Sequence, residues 1–280
     1  MNNSGNLPSL RLLPVGIQSF EKLRTEGFLY VDKTALMYEL IQSKIPYFLS
    51  RPRRFGKSLL LSTMEAYFEG KKELFQGLAV EQLEKEWKTY PVLHLSLNAE
   101  KYEVEDDLRK ILEYQLQGWE KEYDIHPTVS SYSVRFMNVI ETAYQKTGMR
   151  VVVLIDEYDK PLLRSLHDET LQAAFRNQLT AFYTVLKDAD KYLRFVFITG
   201  VTKFAQMGIF SNLNQLMDIS FDQRYATICG MTQQEIEQVF SPELHALARE
   251  NDLTYEEVIV EMARHYNGYH FSHRDVIGVF

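Results

Sequence analysis

Cysteine is almost missing from this chain: Cys229 stands alone among 280 residues. That excludes an intrachain disulfide and a thiolate metal cage, and it fits a reducing cytoplasm. Long apolar runs are missing too. Nothing approaches the roughly 18 consecutive apolar residues of a membrane span, and the opening MNNSGNLPSL has neither the basic nor the apolar region of a signal peptide. Glycine and proline are sparse, at 13 and 8, and with 45% hydrophobic and 25% charged residues they leave no room for a long disordered or low-complexity stretch. No repeat with a period of about 20–50 residues is visible. Positive charge is not in excess. The net charge of −7 and sequence pI near 5.6 argue against a general nucleic-acid or anionic-membrane binder, so any polyanion contact has to be local. What remains is a chain of globular composition, long enough for one large α/β domain or a core with a smaller appendage.

The most informative stretch is IPYFLSRPRRFGKSLLLSTMEAYF, from Ile45 to Phe68. Ile45 to Leu49 predicts a short strand, Ser50 to Phe55 a loop, and Leu59 to Phe68 has apolar residues at helical spacing. Gly56-Lys57-Ser58 sits at the joint. A helix starting there aims free backbone N–H groups and a positive dipole end at the loop, which suits an anion. Lys57 is placed to reach the β and γ phosphates of a nucleotide and Ser58 to ligate magnesium, with Arg51, Pro52, Arg53, Arg54, Phe55, Gly56 and Leu59 completing the cradle. Where the full motif wants its first glycine, five residues before Gly56, this chain has Arg51 followed by Pro52. Arg51, Arg53 and Arg54 are expected to add guanidinium groups beside Lys57. A solvated basic turn is the plainer reading of the same residues.

The second informative stretch is MRVVVLIDEYDKPLL, Met149 to Leu163. Its β-branched run predicts a fully buried parallel strand, with Asp156 and Glu157 at the carboxyl end, where open α/β sheets bind ligands. Asp156 is then the magnesium ligand beside Ser58. Glu157 orients or deprotonates the attacking water, and Asp159 supports the pair from the loop beyond. The alternative is that Asp156 and Glu157 cap the helix after Pro161.

Further strands are expected at Pro91 to Leu97 and Leu193 to Gly200, and a last short one at Tyr225 to Cys229. Thr202 and Lys203, just past Gly200, are candidates to face a γ-phosphate; a plain strand-terminal turn is the alternative. His94 reads as a core or edge histidine. Helices are expected near Phe20 and Leu36, over Glu100 to Trp119, Ser131 to Tyr144 and Thr170 to Leu186, and again at Pro242 to Glu250 and Tyr255 to Tyr266. Lys110 and Glu113 read as an exposed pair. Asp32 is placed to cap the second helix, or with Lys33 and Thr34 to approach the adenine or ribose side of a nucleotide. Thr232 and Glu235 spell a capping box. Gln206 to Met217 reads as a mobile connection, Arg224 as a weak phosphate candidate, and Tyr266 to Phe271 as a packing element rather than a base-stacking platform. The apolar last residues, DVIGVF, predict a boundary inside a longer protein.

The segments LPVGIQSFEKLRTEGFLYVDKT, RPRRFGKSLLLSTM, VVVLIDEYDKPL, FVFITGVTKF, GMTQQEI and YNGYHFS together resemble the AAA-ATPase-like proteins of bacteria and archaea, over almost the whole chain. The resemblance implies an AAA-like P-loop NTPase core whose parallel sheet has a strand inserted between the loop strand and the acidic strand, binding ATP with Mg2+. It makes Arg51 a family trait, and it matches Lys57 and Ser58 to the phosphate and magnesium positions and Asp156 with Glu157 to the acidic pair. Relatives commonly continue into a domain similar to the PD-(D/E)XK nucleases, to which nothing here corresponds. Contact with nucleic acid is therefore expected only indirectly or through that domain, and contact with membrane not at all. Self-association stays open, since no arginine finger transfers.

The resulting expectation is an N-terminal helical segment over 1–44, a P-loop core over 45–230 and a helical lid-like part over 231–280, with slow ATP hydrolysis coupled to an effector domain in cis. A nucleotide switch with little turnover is the first rival. A kinase-like transferase is the second.

Overall fold

The computed structural model describes residues 11–98, 101–203, 209, 215–266, 268, 269 and 271. The run VVVLID forms strand β3 (Val151–Asp156), buried along its whole length as a run without polar alternation requires. It pairs with β2 (Val92–Ser96) on one side and β4 (Leu193–Gly200) on the other; β4 continues to β1 (Tyr47–Ser50), and short β5 (Met217–Asp218) closes on β1. The order is β2-β3-β4-β1-β5 and every pairing is parallel. β4 is thus the inserted strand expected between the loop strand and the acidic strand, and the α/β P-loop architecture is the one observed.

Alternate residues of a strand face opposite sides of a sheet, and here both sides are covered. Val151, Val153 and Ile155 enter one core with Leu112 and Leu116 of α5 (Glu105–Glu122), Phe136 and Val139 of α6 (Tyr132–Thr147), and Leu179 and Phe182 of α8 (Glu169–Asp188). Val152 and Leu154 enter the other with Phe20 of α1 (Phe20–Thr25), Met37 and Leu40 of α2 (Thr34–Gln42), and Leu61 and Met64 of α3 (Lys57–Phe68). Two short helices, α4 (Ala79–Leu83) and α7 (Lys160–Arg164), complete the core region. Helices Gln233–Val239, Ser241–Glu250 and Tyr255–Tyr266 follow, with a small core of their own around Ile236, Leu244, Ala248 and Val258. Among the described residues no helix is long and apolar enough to cross a membrane.

Local signals place several joints. Asp32 Oδ1 accepts from Thr34 N at 2.8 Å and Oδ2 from Ala79 N at 2.7 Å, so one carboxylate ties the starts of α2 and α4 together. The Thr232 and Glu235 capping box forms as its residues predict. His94 Nδ1 lies 2.9 Å from Glu65 Oε2, bridging β2 to α3.

One expected strand is absent. Tyr225 to Cys229 is not a strand: Gln223–Tyr225 is a 3-10 turn, and Ile228 N bonds to Tyr225 O at 3.2 Å. The fifth strand lies earlier, where Met217 N meets Pro46 O and Ile219 N meets Phe48 O, each at 2.9 Å. Between the first two helices the chain turns, with Phe28 N bonding back to Leu23 O at 3.0 Å. Most of Gln206 to Met217 falls outside the described residues, although Leu216 is buried in the first core.

Glu113 does not pair with Lys110, which takes Asp106 instead at 3.1 Å. Glu113 Oε2 accepts from Arg135 Nη1 at 2.5 Å, while Arg135 Nε and Nη2 each donate to Glu120 at 2.7 Å. Arg135 and Glu120 are both buried, so this fork locks α5 to α6 with almost no water present. The hydrogen bonds to Glu120 and Glu113 hold the Arg135 pKa above its ordinary value. Glu120→Ala strands a buried cation with one remaining partner and is expected to lower stability by about 3 kcal/mol, read as a lower urea midpoint with unchanged m-value.

Candidate functional site

The turn between β1 and α3 uses two left-handed residues, Arg54 at φ 69° and Gly56 at φ 82°. At Gly56 that backbone costs least, because no Cβ meets the following carbonyl. α3 starts at Lys57 with no side chain capping its first turn, which leaves the amides at that end to an outside acceptor. Lys57 curls back over the loop: its Nζ donates to Arg51 O at 3.1 Å and Pro52 O at 3.0 Å. Burial pulls the Lys57 pKa down, and Asp156 is foremost among the groups opposing that.

Ser58 Oγ donates to Asp156 Oδ2 at 2.5 Å, and Thr199 Oγ1 donates to Asp156 Oδ1 at 2.7 Å. Three segments distant in sequence therefore meet on one buried carboxylate: the start of α3, the end of β3 and the end of β4. The alternative in which Asp156 caps the following helix does not hold, because both its oxygens are engaged elsewhere. Glu157 follows at φ 54° with its carboxylate 3.3 Å from Lys160 Nζ, and its side chain is 21% exposed, enough to meet water.

The structure does not bring every candidate to the loop. Arg51 is the main correction. Its guanidinium is turned away behind the loop and fully buried, donating from Nη1 to Ser50 O at 2.9 Å and Ser220 O at 2.7 Å, and from Nη2 to Tyr225 O at 3.2 Å. A guanidinium has five donors to satisfy, and this pocket of carbonyls supplies acceptors that a loop surface lacks. Arg53 and Arg54 stay exposed on the loop, Leu59 is half-buried and Phe55 is buried.

Thr202 is the second correction. Asp159 is fully buried, and its Oδ2 accepts from Val201 N at 3.0 Å, Thr202 N at 2.6 Å and Thr202 Oγ1, so that hydroxyl is committed to Asp159 rather than to a γ-phosphate. The fit is close: a Cβ at Gly200 would stand 2.4 Å from the Tyr158 ring and 2.9 Å from Asp159 Oδ1. Lys203 is turned onto Phe221, its Nζ 4.3 Å from the ring centroid. Arg224 is exposed and pairs locally with Asp222 at 2.6 Å.

Thr199 is the residue that sequence reasoning missed. The signal was present, a hydroxyl near the carboxyl end of a predicted central strand, but only the register that sets Leu49 beside Thr199 and Ile155 beside Ile198 selects it over Thr202.

Ser58 Oγ and Asp156 Oδ2 form a hard-oxygen pair that suits magnesium, which is normally held by one or two protein groups with phosphate oxygens and water. Among the described residues no group of three or more His, Cys, Asp or Glu assembles as a metal cage. The lone thiol, Cys229, is buried and its pKa is pushed up to about 11 by that burial.

With this geometry, similarity to known proteins becomes specific. An uncharacterized protein encoded in the vnfD 5′ region of Azotobacter chroococcum mcd 1 is 39% identical over 273 residues, covering 97% of this chain and 51% of that protein. The chain thus spans about half the length of this curated relative. The structure of the Aeropyrum pernix ORC2 protein (ADPNP-ADP complexes) aligns over 94% of this chain and 66% of its own at a TM-score of 0.38 and 12% identity, a similarity too low to bear on fold or function here. A family model described as Predicted AAA-ATPase matches residues 14–210, a span that contains the loop, the acidic strand and Thr199. The chain belongs to this AAA-ATPase-like family.

Proposed function

We propose that this chain binds ATP with magnesium at the β1–α3 loop and hydrolyses it slowly, passing nucleotide state to an effector domain elsewhere in a longer protein. The observation that carries the reading is the convergence of Ser58, Asp156 and Thr199 beside Lys57. Lys57 exchanges its two carbonyl partners for β and γ phosphate oxygens, which offer the ammonium full negative charge. The amides opening α3 and the exposed Arg53 and Arg54 add donors around the same phosphates.

Ser58 and Asp156 would hold the magnesium ion, which when bound neutralises charge on the triphosphate. Thr199 fixes the Asp156 carboxylate so that one oxygen stays aimed at Ser58. Glu157 takes a proton from water as that water attacks the γ-phosphorus and the bond to the bridging oxygen breaks, giving ADP and phosphate. The helices from Gln233 to Tyr266, which have a small core of their own, are the lid-like part in this reading.

The ion pair between Glu157 and Lys160 favours a second reading, a nucleotide switch with little turnover, because a carboxylate engaged by Lys160 has to leave that contact before it can orient a water. Binding and phosphate release measured on wild type, Lys57→Ala and Glu157→Gln separate the two. Lys57→Ala is expected to weaken ATP binding at least about tenfold through loss of the charged phosphate contact. Glu157→Gln is expected to keep binding and lose release by about a hundredfold. Equal, low release in all three proteins favours the switch, and no ATP binding by wild type overturns both readings.

A further inference from the structure

Arg51 occupies the place of a loop glycine, yet its side chain does no work on the phosphate side. It runs backward into a pocket of carbonyls contributed by Ser50, Ser220 and Tyr225, and Phe271 covers it with the guanidinium carbon 4.0 Å from the ring centroid. Burial pulls the Arg51 pKa down to about 10. Such a cation is costly to bury, and carbonyl oxygens with one aromatic face offset that cost only while all are in place.

Phe55, four residues along the same loop, makes a second contact with the same segment. Its ring meets Tyr269 edge-on at 4.7 Å and Phe271 at 5.5 Å, and its carbonyl accepts from Gly230 N at 3.1 Å. Two loop side chains therefore grip Tyr269 and Phe271, which follow the helix Tyr255–Tyr266. Between them lie the Arg51 and Pro52 carbonyls that hold the Lys57 ammonium, the group that must change partners when an anion arrives.

We propose that Arg51 and Phe55 form a joint between the phosphate loop and the Tyr269 to Phe271 segment, so that nucleotide occupancy and the seating of that segment strengthen one another. The proposal rests on the nucleotide reading above and adds the route by which nucleotide state leaves the site. A loop fixed from behind loses less freedom when phosphate binds in front, so an intact joint favours binding. Linkage then requires the reverse: bound nucleotide holds the segment in place by the same factor. Arg51 acts here as a positioning residue, and Phe271 is the part of the joint that can be altered without touching the loop.

The experiment uses magnesium with a non-hydrolysable ATP analogue on wild type, Phe271→Ala, Phe271→Tyr and Lys57→Ala. Phe271→Ala is expected to raise Kd about fivefold and Phe271→Tyr to restore it to within about twofold, since an aromatic face is what the cation needs. In wild type, analogue is expected to slow amide hydrogen exchange across Tyr266 to Phe271 at least about threefold, and in Lys57→Ala to leave it unchanged. Wild type that binds the analogue with unchanged exchange in this segment overturns the joint, whatever Phe271→Ala does. An unchanged Kd in Phe271→Ala also overturns it. Wild type that fails to bind at all overturns the nucleotide reading, and the joint falls with it.

Discussion

Asp156 is held at both oxygens by hydroxyls that come from elsewhere, Ser58 from the start of α3 and Thr199 from the end of β4. The parallel sheet makes this meeting unavoidable. β1, β4 and β3 run in the same direction in adjacent positions, so their carboxyl ends share one edge, and whatever follows each strand is delivered there. Without β4 between them, the loop strand and the acidic strand would not be spaced to take Thr199 as the middle contact. The helices packed on both faces keep that register, because a slip by one residue would exchange the two cores.

Buried charge is the recurring device of this fold. Arg135 is paired with two carboxylates, Asp159 accepts from two amides and a hydroxyl, and Arg51 donates to carbonyls beneath a ring. Each joins segments far apart in sequence: α5 to α6, the start of α7 to the end of β4, and the phosphate loop to the turn at Tyr225. A buried charge left unpaired costs several kcal/mol, so each fixes its partners more narrowly than apolar packing would. The same property makes these residues easy to misjudge, since a charged residue in a functional loop is read first as a ligand contact.

Much of the fold was legible beforehand. β3 was marked by an uninterrupted β-branched run, α8 by its amphipathic period, the loop by Gly56-Lys57-Ser58, and the capping box by Thr232 and Glu235. These are local signals, in which the residue type is dictated by its own backbone or by neighbours a few positions away. The fifth strand was placed wrongly because Met217–Asp218 is too short to show a period, while Tyr225 to Cys229 is apolar for a different reason: Tyr225, Ala226, Ile228 and Cys229 are buried in turns behind the loop.

The sequence by itself determined a parallel α/β chain with an anion-binding loop and an acidic strand end, because strand burial, helix spacing and the need for φ above zero at Gly56 are all properties of short stretches. Only the tertiary structure decided that Arg51 faces inward, that Thr202 belongs to Asp159 and that Thr199 completes the Asp156 site. Those outcomes depend on which donors and acceptors the sheet register and the distant turns bring within about 3 Å of one another, the range over which a buried polar group finds a partner. No stretch of sequence contains both halves of such a pair.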